Sequence, residues 1–253
     1  MSFLKEDKMI IILIILGMFV GFASGFFGIG GGTVLVPSLM YLGYDVKTAI
    51  GISIILMVFS SVFGSFVNYK NQMLRFQNGI VLGLGGFIGA QFSGLIVSHL
   101  PSWVLLLFFA LSLLGSLYKF FKAPAEPQEP PNESKVLLFF VGFFVGMIAI
   151  SIGIGGALFL TPIMVGFLHF DIKKAVSTSL LFVVFSSISG LISFSMHGLM
   201  DYKSGIILGF GSLIGVYFGA KRSHVVDRKL QKKLLMILYV VLFLLTLNKL
   251  IGF

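Results

Sequence analysis

Residues Gly28–Pro37 read GIGGGTVLVP, and residues Gly153–Pro162 read GIGGALFLTP. Six of the ten positions are identical, at an offset of 125 residues. Two further matches follow in the same order. Asp45-Val-Lys-Thr-Ala49 aligns with Asp171-Ile-Lys-Lys-Ala175, and Gly79–Gly89 aligns with Gly205–Gly215 at seven of eleven positions, both at an offset of 126. Ordered self-similarity at nearly one spacing is the mark of a duplicated unit. The chain therefore divides into a first repeat (1–121), a linker (122–134) and a second repeat (135–253). The linker, KAPAEPQEPPNES, holds four of the seven prolines and reads as an extended polar connection.

Around these motifs the chain is apolar. It has 253 residues, of which 57% are hydrophobic and 11% charged, with a mean hydropathy of +1.07. A soluble domain carries about a quarter charged residues. Met9–Tyr44, Thr48–Tyr69, Phe76–Tyr118 and Val136–Phe170 contain no Asp, Glu, Lys or Arg. About 20 apolar residues cross a bilayer as a helix. The expected fold is thus an all-α, polytopic membrane protein with about five helical segments per repeat. The segments are Met9–Phe27, Thr33–Gly43, Thr48–Tyr69, Gln77–Ser98 and Ser102–Phe121, then Val136–Ile152, Ala157–Phe170, Ala175–Met196, Ser204–Ala220 and Lys233–Ile251. Lys5, Glu6, Asp7 and Lys8 cancel in charge, so the first segment reads as a retained helix rather than a leader peptide.

The net charge of +9 does not imply nucleic acid, because the basic residues sit in short connections rather than on one helix face. Their placement reports topology instead. If 9–43 enters the membrane and returns as a hairpin, the two repeats are inverted. Lys5, Lys8, Lys47, Lys203 and Lys249 then lie on one side and the other thirteen Lys and Arg on the opposite side. The positive-inside rule favours this asymmetry over the even split that a single crossing produces. It puts the linker in the cytoplasm and both termini outside, in a multi-pass cytoplasmic-membrane protein. Thr33–Gly43 agrees: eleven residues rise roughly 16 Å, about half the hydrocarbon core.

The glycine turns are the candidate site. Each precedes a short helix, and a helix starting in mid-membrane offers free N–H groups and the positive end of its dipole. Glycine lets an anion approach that backbone, and inverted-repeat carriers place such broken helices at the bilayer midplane. Gly30, Gly31, Gly32 and Thr33, with Gly155, Gly156, Ala157 and Leu158, are the candidate binding residues. Ser53 and Ser179 match across the repeat, Thr178 adjoins the second, and Gln91 sits within an apolar segment where an amide calls for a polar neighbour. The reading requires both turns to meet deep in the protein beside space for an anion. The spaced pairs Gly17/Gly21, Gly79/Gly83, Gly85/Gly89, Gly205/Gly209 and Gly211/Gly215 read instead as close helix packing.

Other chemistries lack their residues. No lysine follows Gly32 or Gly156, so neither turn is a Walker A loop, and Thr33 stands where a dinucleotide fingerprint needs its third glycine. The helix interiors carry no ionisable group for a proton relay or catalytic dyad. His99, His169, His197 and His224 are not spaced as metal ligands, and there is no cysteine. No catalytic residue, metal or cofactor is expected. Asp45 and Asp171 read as caps of the helices that follow.

GIGGGTVLVPSL at Gly28–Leu39, GIGGALFLTPIM at Gly153–Met164 and the Ala175-Val-Ser-Thr-Ser-Leu180 stretch together resemble the sulfite exporter TauE/SafE family over almost the whole chain. Ile52-Ser53 departs from the symmetry, lacking the Thr178-Ser179 pair. The resemblance implies transport of small sulfur-containing anions such as sulfite or organosulfonates, usually outward. The alternative readings are an anion channel and a carrier of another small oxyanion or carboxylate. The expected partners are a small anion and the lipid bilayer, not nucleic acid; association as a homodimer is left open.

Overall fold

A computed structural model of the chain describes residues 2–70, 76–122 and 130–252. Arg75 and most of the expected linker lie outside the described residues. The described residues form eleven helices and no strand: α1 (Ser2–Phe27), α2 (Gly32–Tyr41), α3 (Val46–Lys70), α4 (Phe76–Ala90), α5 (Ser93–His99), α6 (Ser102–Lys122), α7 (Lys135–Ser151), α8 (Ala157–Gly166), α9 (Ile172–Met196), α10 (Tyr202–Val225) and α11 (Arg228–Ile251). Six stretches are long and apolar enough to cross a membrane by length and composition: Lys8–Phe27, Val46–Lys70, Gln77–His99, Ile172–Met196, Tyr202–Ser223 and Arg228–Ile251. Helices suit this setting because they satisfy every backbone polar group within one segment.

The closest packing is made by glycine. Gly17, Gly21 and Gly25 of α1 press on the backbone at Leu208, Ser212 and Val216 of α10, and Gly211, Gly215 and Gly219 return the contact at Ile14, Met18 and Phe22. The same seam recurs between α4 and α7, where Gly85 and Gly89 meet Phe139 and Phe143 while Gly142 and Gly146 meet Leu82 and Gly86. A methyl group at most of these positions would fall on a carbonyl oxygen, so small residues set the helix separation. Gly79 and Gly83 of α4 receive Leu181 and Phe185 of α9, as Gly205 and Gly209 of α10 receive Ile55 and Phe59 of α3.

These contacts also fix direction. Contact positions rise together along α1 and α10, along α3 and α10, along α4 and α7, and along α4 and α9. They run oppositely along α3 and α9, where Gly64 meets Leu180 and Gly190 meets Ile54. Hence α1, α3 and α10 point one way, and α4, α7 and α9 the other. Since α1 and α3 are parallel, α2 lies on a chain that has turned back between them.

The segment expected as one helix over Gln77–Ser98 is broken between Ala90 and Ser93. The cause is Ser193 of α9. The N–H of Gly94 donates to Ser193 Oγ at 3.0 Å instead of continuing the helix ladder, Ser193 Oγ donates to the Gln91 carbonyl at 2.7 Å, and Ser93 Oγ takes over the Ala90 carbonyl at 2.6 Å. A side chain inserted into the ladder kinks a helix. Val67 occupies the place of Ser193 in the first repeat, has no hydroxyl to insert, and the matching helix α10 runs unbroken. Asp45 and Asp171 accept from the N–H of Lys47 and Lys173 at 3.0 and 2.9 Å, the capping role read from the sequence. Asp171 also pairs with Arg228 at the start of α11, at 2.9 Å.

Candidate functional site

The two turns have one shape. Gly28, Gly30 and Gly31 have φ of 69°, 75° and 82°; Gly153, Gly155 and Gly156 have 73°, 79° and 87°. Left-handed backbone costs an L-residue roughly 1–2 kcal/mol, so three such positions within four residues call for glycine. Gly31 and Gly156 then cap α2 and α8, each ten residues long and each carrying a proline at its sixth position, Pro37 and Pro162. Ten residues rise about 15 Å, half a hydrocarbon core. Proline withholds one N–H from its helix. The Leu158 carbonyl that Pro162 cannot serve accepts from the fully buried Tyr239 hydroxyl of α11 at 3.5 Å.

The turns meet. Thr33 Oγ1 donates to the Ile154 carbonyl at 3.4 Å, and Ser53 Oγ of α3 donates to the Gly153 carbonyl at 3.2 Å. Ser60 Oγ donates to the Gly30 carbonyl at 3.3 Å. Gly30 and Gly155 both face Met57 of α3 and Val183 of α9, which are themselves related by the 126-residue offset. Gly31 faces Leu56 and Gly156 faces Phe182, a second related pair. Met57 and Val183 fall near the middle of their 25-residue helices, so the turns sit at mid-length of α3 and α9.

Backbone donors at this centre are unspent. Among the hydrogen bonds of the described residues, none is donated by the N–H of Gly30 or Gly31, nor by that of Gly155, Gly156, Ala157 or Leu158. These six groups are buried, and they lie at the positive ends of two half-length helices. Buried backbone N–H groups are rarely left orphaned. The arrangement suits a negatively charged or strongly hydrogen-bond-accepting guest.

The open space expected beside the turns is filled. Gly28–Gly32 and Gly153–Ala157 are all buried, and the side chains of Met57, Val183, Leu56 and Phe182 close over them. Surface hollows lie elsewhere. One of about 580 Å³ runs between α6 and α11 along Leu114, Tyr118, Met236 and Val240. Another, of about 320 Å³, is lined by Phe63, Phe66, Lys70, Tyr217 and Lys221.

Of the sequence candidates, Gly30–Thr33, Gly155–Leu158 and Ser53 come together at the centre. Ser179 and Thr178 are buried on α9, with Ser179 Oγ 3.3 Å from Thr161 Oγ1 of α8. Gln91 does not join them. It lies exposed at the α4–α5 break, where the inserted Ser193 hydroxyl engages its carbonyl, and is not within a continuous helix as expected. Tyr217, its counterpart, is likewise on the outer surface. Met57, Val183 and Tyr239 were missed, and Ser60 was not placed at the site. Met57 and Val183, like Ser60 and Ser186, were legible by carrying the 126-residue offset into α3 and α9; the hydroxyl of Tyr239 had no such signal, since Leu113 is its counterpart.

Comparison with known proteins agrees with this architecture. The family model of the sulfite exporter TauE/SafE matches residues 13–247. The probable membrane transporter protein YunE of Bacillus subtilis is 30% identical, over 92% of this chain and 94% of its own length. The probable membrane transporter protein YdhB of the same organism is 27% identical, over 87% and 93%. A probable membrane transporter protein of Methanocaldococcus jannaschii is 27% identical, over 90% of each chain. No solved structure matches the chain. With nearly its whole length aligned to a single model of membrane transporters, the chain belongs to the sulfite exporter TauE/SafE family.

Proposed function

We propose that this transporter carries small sulfur-containing anions such as sulfite or organosulfonates, outward across the cytoplasmic membrane, by alternating access between two inverted repeats. The observation that carries the reading is the pair of touching glycine turns with six unspent N–H donors at mid-length of α3 and α9. An oxyanion supplies several acceptor oxygens to such a cluster without requiring a buried cation. The substrate's sulfur chemistry follows from the family description alone.

The opposed directions of α1 and α7, α3 and α9, and α4 and α10 support inverted repeats. They also bring Lys70, Lys135, Lys173, Lys174, Lys221, Arg222 and Arg228 to one face, which the positive-inside rule makes cytoplasmic. The closed packing corresponds to an occluded conformation, in which Met57 and Val183 must move aside for an anion to reach Gly30–Thr33 and Gly155–Leu158. Ser53, Thr178 and Ser179 adjoin that space; Gln91 is left out.

The test is flux of labelled sulfite and sulfonates in proteoliposomes. Saturable flux that is lost in Gly31→Leu and Gly156→Leu, with folded protein recovered, supports the reading. Large non-saturating currents would favour a channel, and flux of carboxylates alone would move the substrate class. Flux unaffected by both variants removes the turns from the mechanism.

A further inference from the structure

Side-chain polar atoms that are buried without a partner mark one half of this molecule. Among the described residues they are Ser24 Oγ, Ser61 Oγ, Ser65 Oγ, Asn68 Nδ2, Ser116 Oγ and Gln231 Oε1. All belong to the half in which α3 ends. Ser61, Ser65 and Asn68 lie in the last part of α3, and Ser24 in the last turns of α1, which is parallel to it. Gln231, at the start of α11, bonds Phe26 at the end of α1 and Ser223 at the end of α10. Ser116 lies near the end of α6, the part of that helix that faces the start of α11.

The α3 residues form a track. Positions 57, 61, 65 and 68 recur at helical spacing on one face. The track starts at Met57, which touches both turns, and reaches Asn68 after eleven residues, or about 16 Å. Ser24 joins at the inner end, beside Gly31. Relative exposures are 0% for Ser24 and Ser61, 8% for Ser65 and 2% for Asn68. Helix hydroxyls ordinarily satisfy themselves on their own carbonyls, as Ser151 does with Met147 and Thr246 with Leu242. These do not, and an unsatisfied buried polar group costs about 1–3 kcal/mol.

The related face of α9 is different. Offset by 126, Val183 is followed by Ser187, Leu191 and Phe194. Ser187 Oγ bonds the Val184 carbonyl, and Phe194 is fully buried where α3 has Asn68. Ser24 has Ala149 as its counterpart at the offset of 125. The duplication is thus polar and underbonded on one side of the turns, and apolar or internally bonded on the other.

We infer that Ser24, Ser61, Ser65 and Asn68 line a hydrated, anion-conducting route between the turns and the membrane face at which α3 ends, while Leu191 and Phe194 close the opposite route in this conformation. Hydroxyl and amide donors along it hand an anion forward without a fixed positive charge to trap it. The role of the turns as the inner terminus rests on the proposed function; the route itself does not.

The chain has no cysteine, so single-cysteine variants report without background. Ser61→Cys, Ser65→Cys, Asn68→Cys, Leu191→Cys and Phe194→Cys, in sealed vesicles of each orientation, would be exposed to small charged methanethiosulfonates. The expected result is modification of the three α3 positions only from the face where α3 ends. Rates should fall from 68 to 61, with the anionic reagent about tenfold or more faster than its cationic analogue, and with positions 191 and 194 protected. Unreactive α3 positions, equal reactivity at 191 and 194, or no preference for the anionic reagent would each overturn the route. Sulfite flux measured on the same variants separates the two ideas. One-sided labelling without sulfite flux leaves the route standing and removes sulfite; flux without labelling removes the route alone.

Discussion

Glycine does two different jobs in this protein, and the contrast lies in what its amide does. Along the α1–α10 and α4–α7 seams the glycine N–H groups lie within regular helices, and only the missing side chain matters: a Cβ on Gly25 would lie 2.5 Å from the Val216 carbonyl oxygen. In the two turns the side-chain space is also occupied, with Leu56 Cδ2 2.7 Å from a Cβ on Gly31, but there the N–H groups are unspent. Spacing alone does not separate the two kinds. Termination of a helix does.

The largest effect should come from opposing substitutions at the two kinds of site. Gly156→Leu is expected to lower flux per folded molecule at least about 100-fold, by shielding several aligned donors at roughly 1 kcal/mol or more each, and to lower the folded yield as well, because φ is 87° and the new Cβ meets the Phe182 ring. Gly21→Ala should affect stability alone, because its Cβ meets the Ser212 backbone, which cannot swing away. We expect a loss of about 1–3 kcal/mol in stability, read as a lower unfolding temperature in detergent, with flux per folded molecule little changed. If both variants lose flux in proportion to folded protein, the distinction collapses.

A second comparison is internal to the site. Met57→Ala and Val183→Ala remove the related side chains that fill the space between the turns. Each should raise the flux rate several-fold and cost about 2–4 kcal/mol of stability for Met57 and less for Val183. A fall in flux from both would mean that these residues hold the turns together rather than block them. The smallest effect is expected at Tyr239→Phe, which leaves the Leu158 carbonyl without its hydroxyl donor. A destabilisation of about 1 kcal/mol would sharpen the view that Pro162 opens a carbonyl that α11 must satisfy; no change would make that bond incidental.

Much of this was legible in the sequence for a simple reason. Charge-free runs of this length read as membrane helices, and polar breaks mark their ends, so most helix bounds fall within a few residues of expectation. The breaks at the two turns were legible as clustered glycines ahead of short helices; their positive φ was not read from the sequence. The α4–α5 break was not legible because its cause, Ser193, lies about a hundred residues away and acts through a hydroxyl that any apolar context conceals. For the same reason Gln91 was read as interior. Closure of the turns by Met57 and Val183 was hidden too, since neither side chain carries a polar signature.

One consequence follows from the seams. The first helix of each repeat is fastened to the other repeat: α1 to α10, and α7 to α4. During synthesis α1 enters the bilayer with its glycine face bare, and its mate begins only at Tyr202. At roughly 5–20 residues per second, that face waits on the order of ten to thirty seconds against lipid or the insertion machinery. A ribosome that stops after the first repeat releases a chain whose α1 glycine face has no α10 to meet.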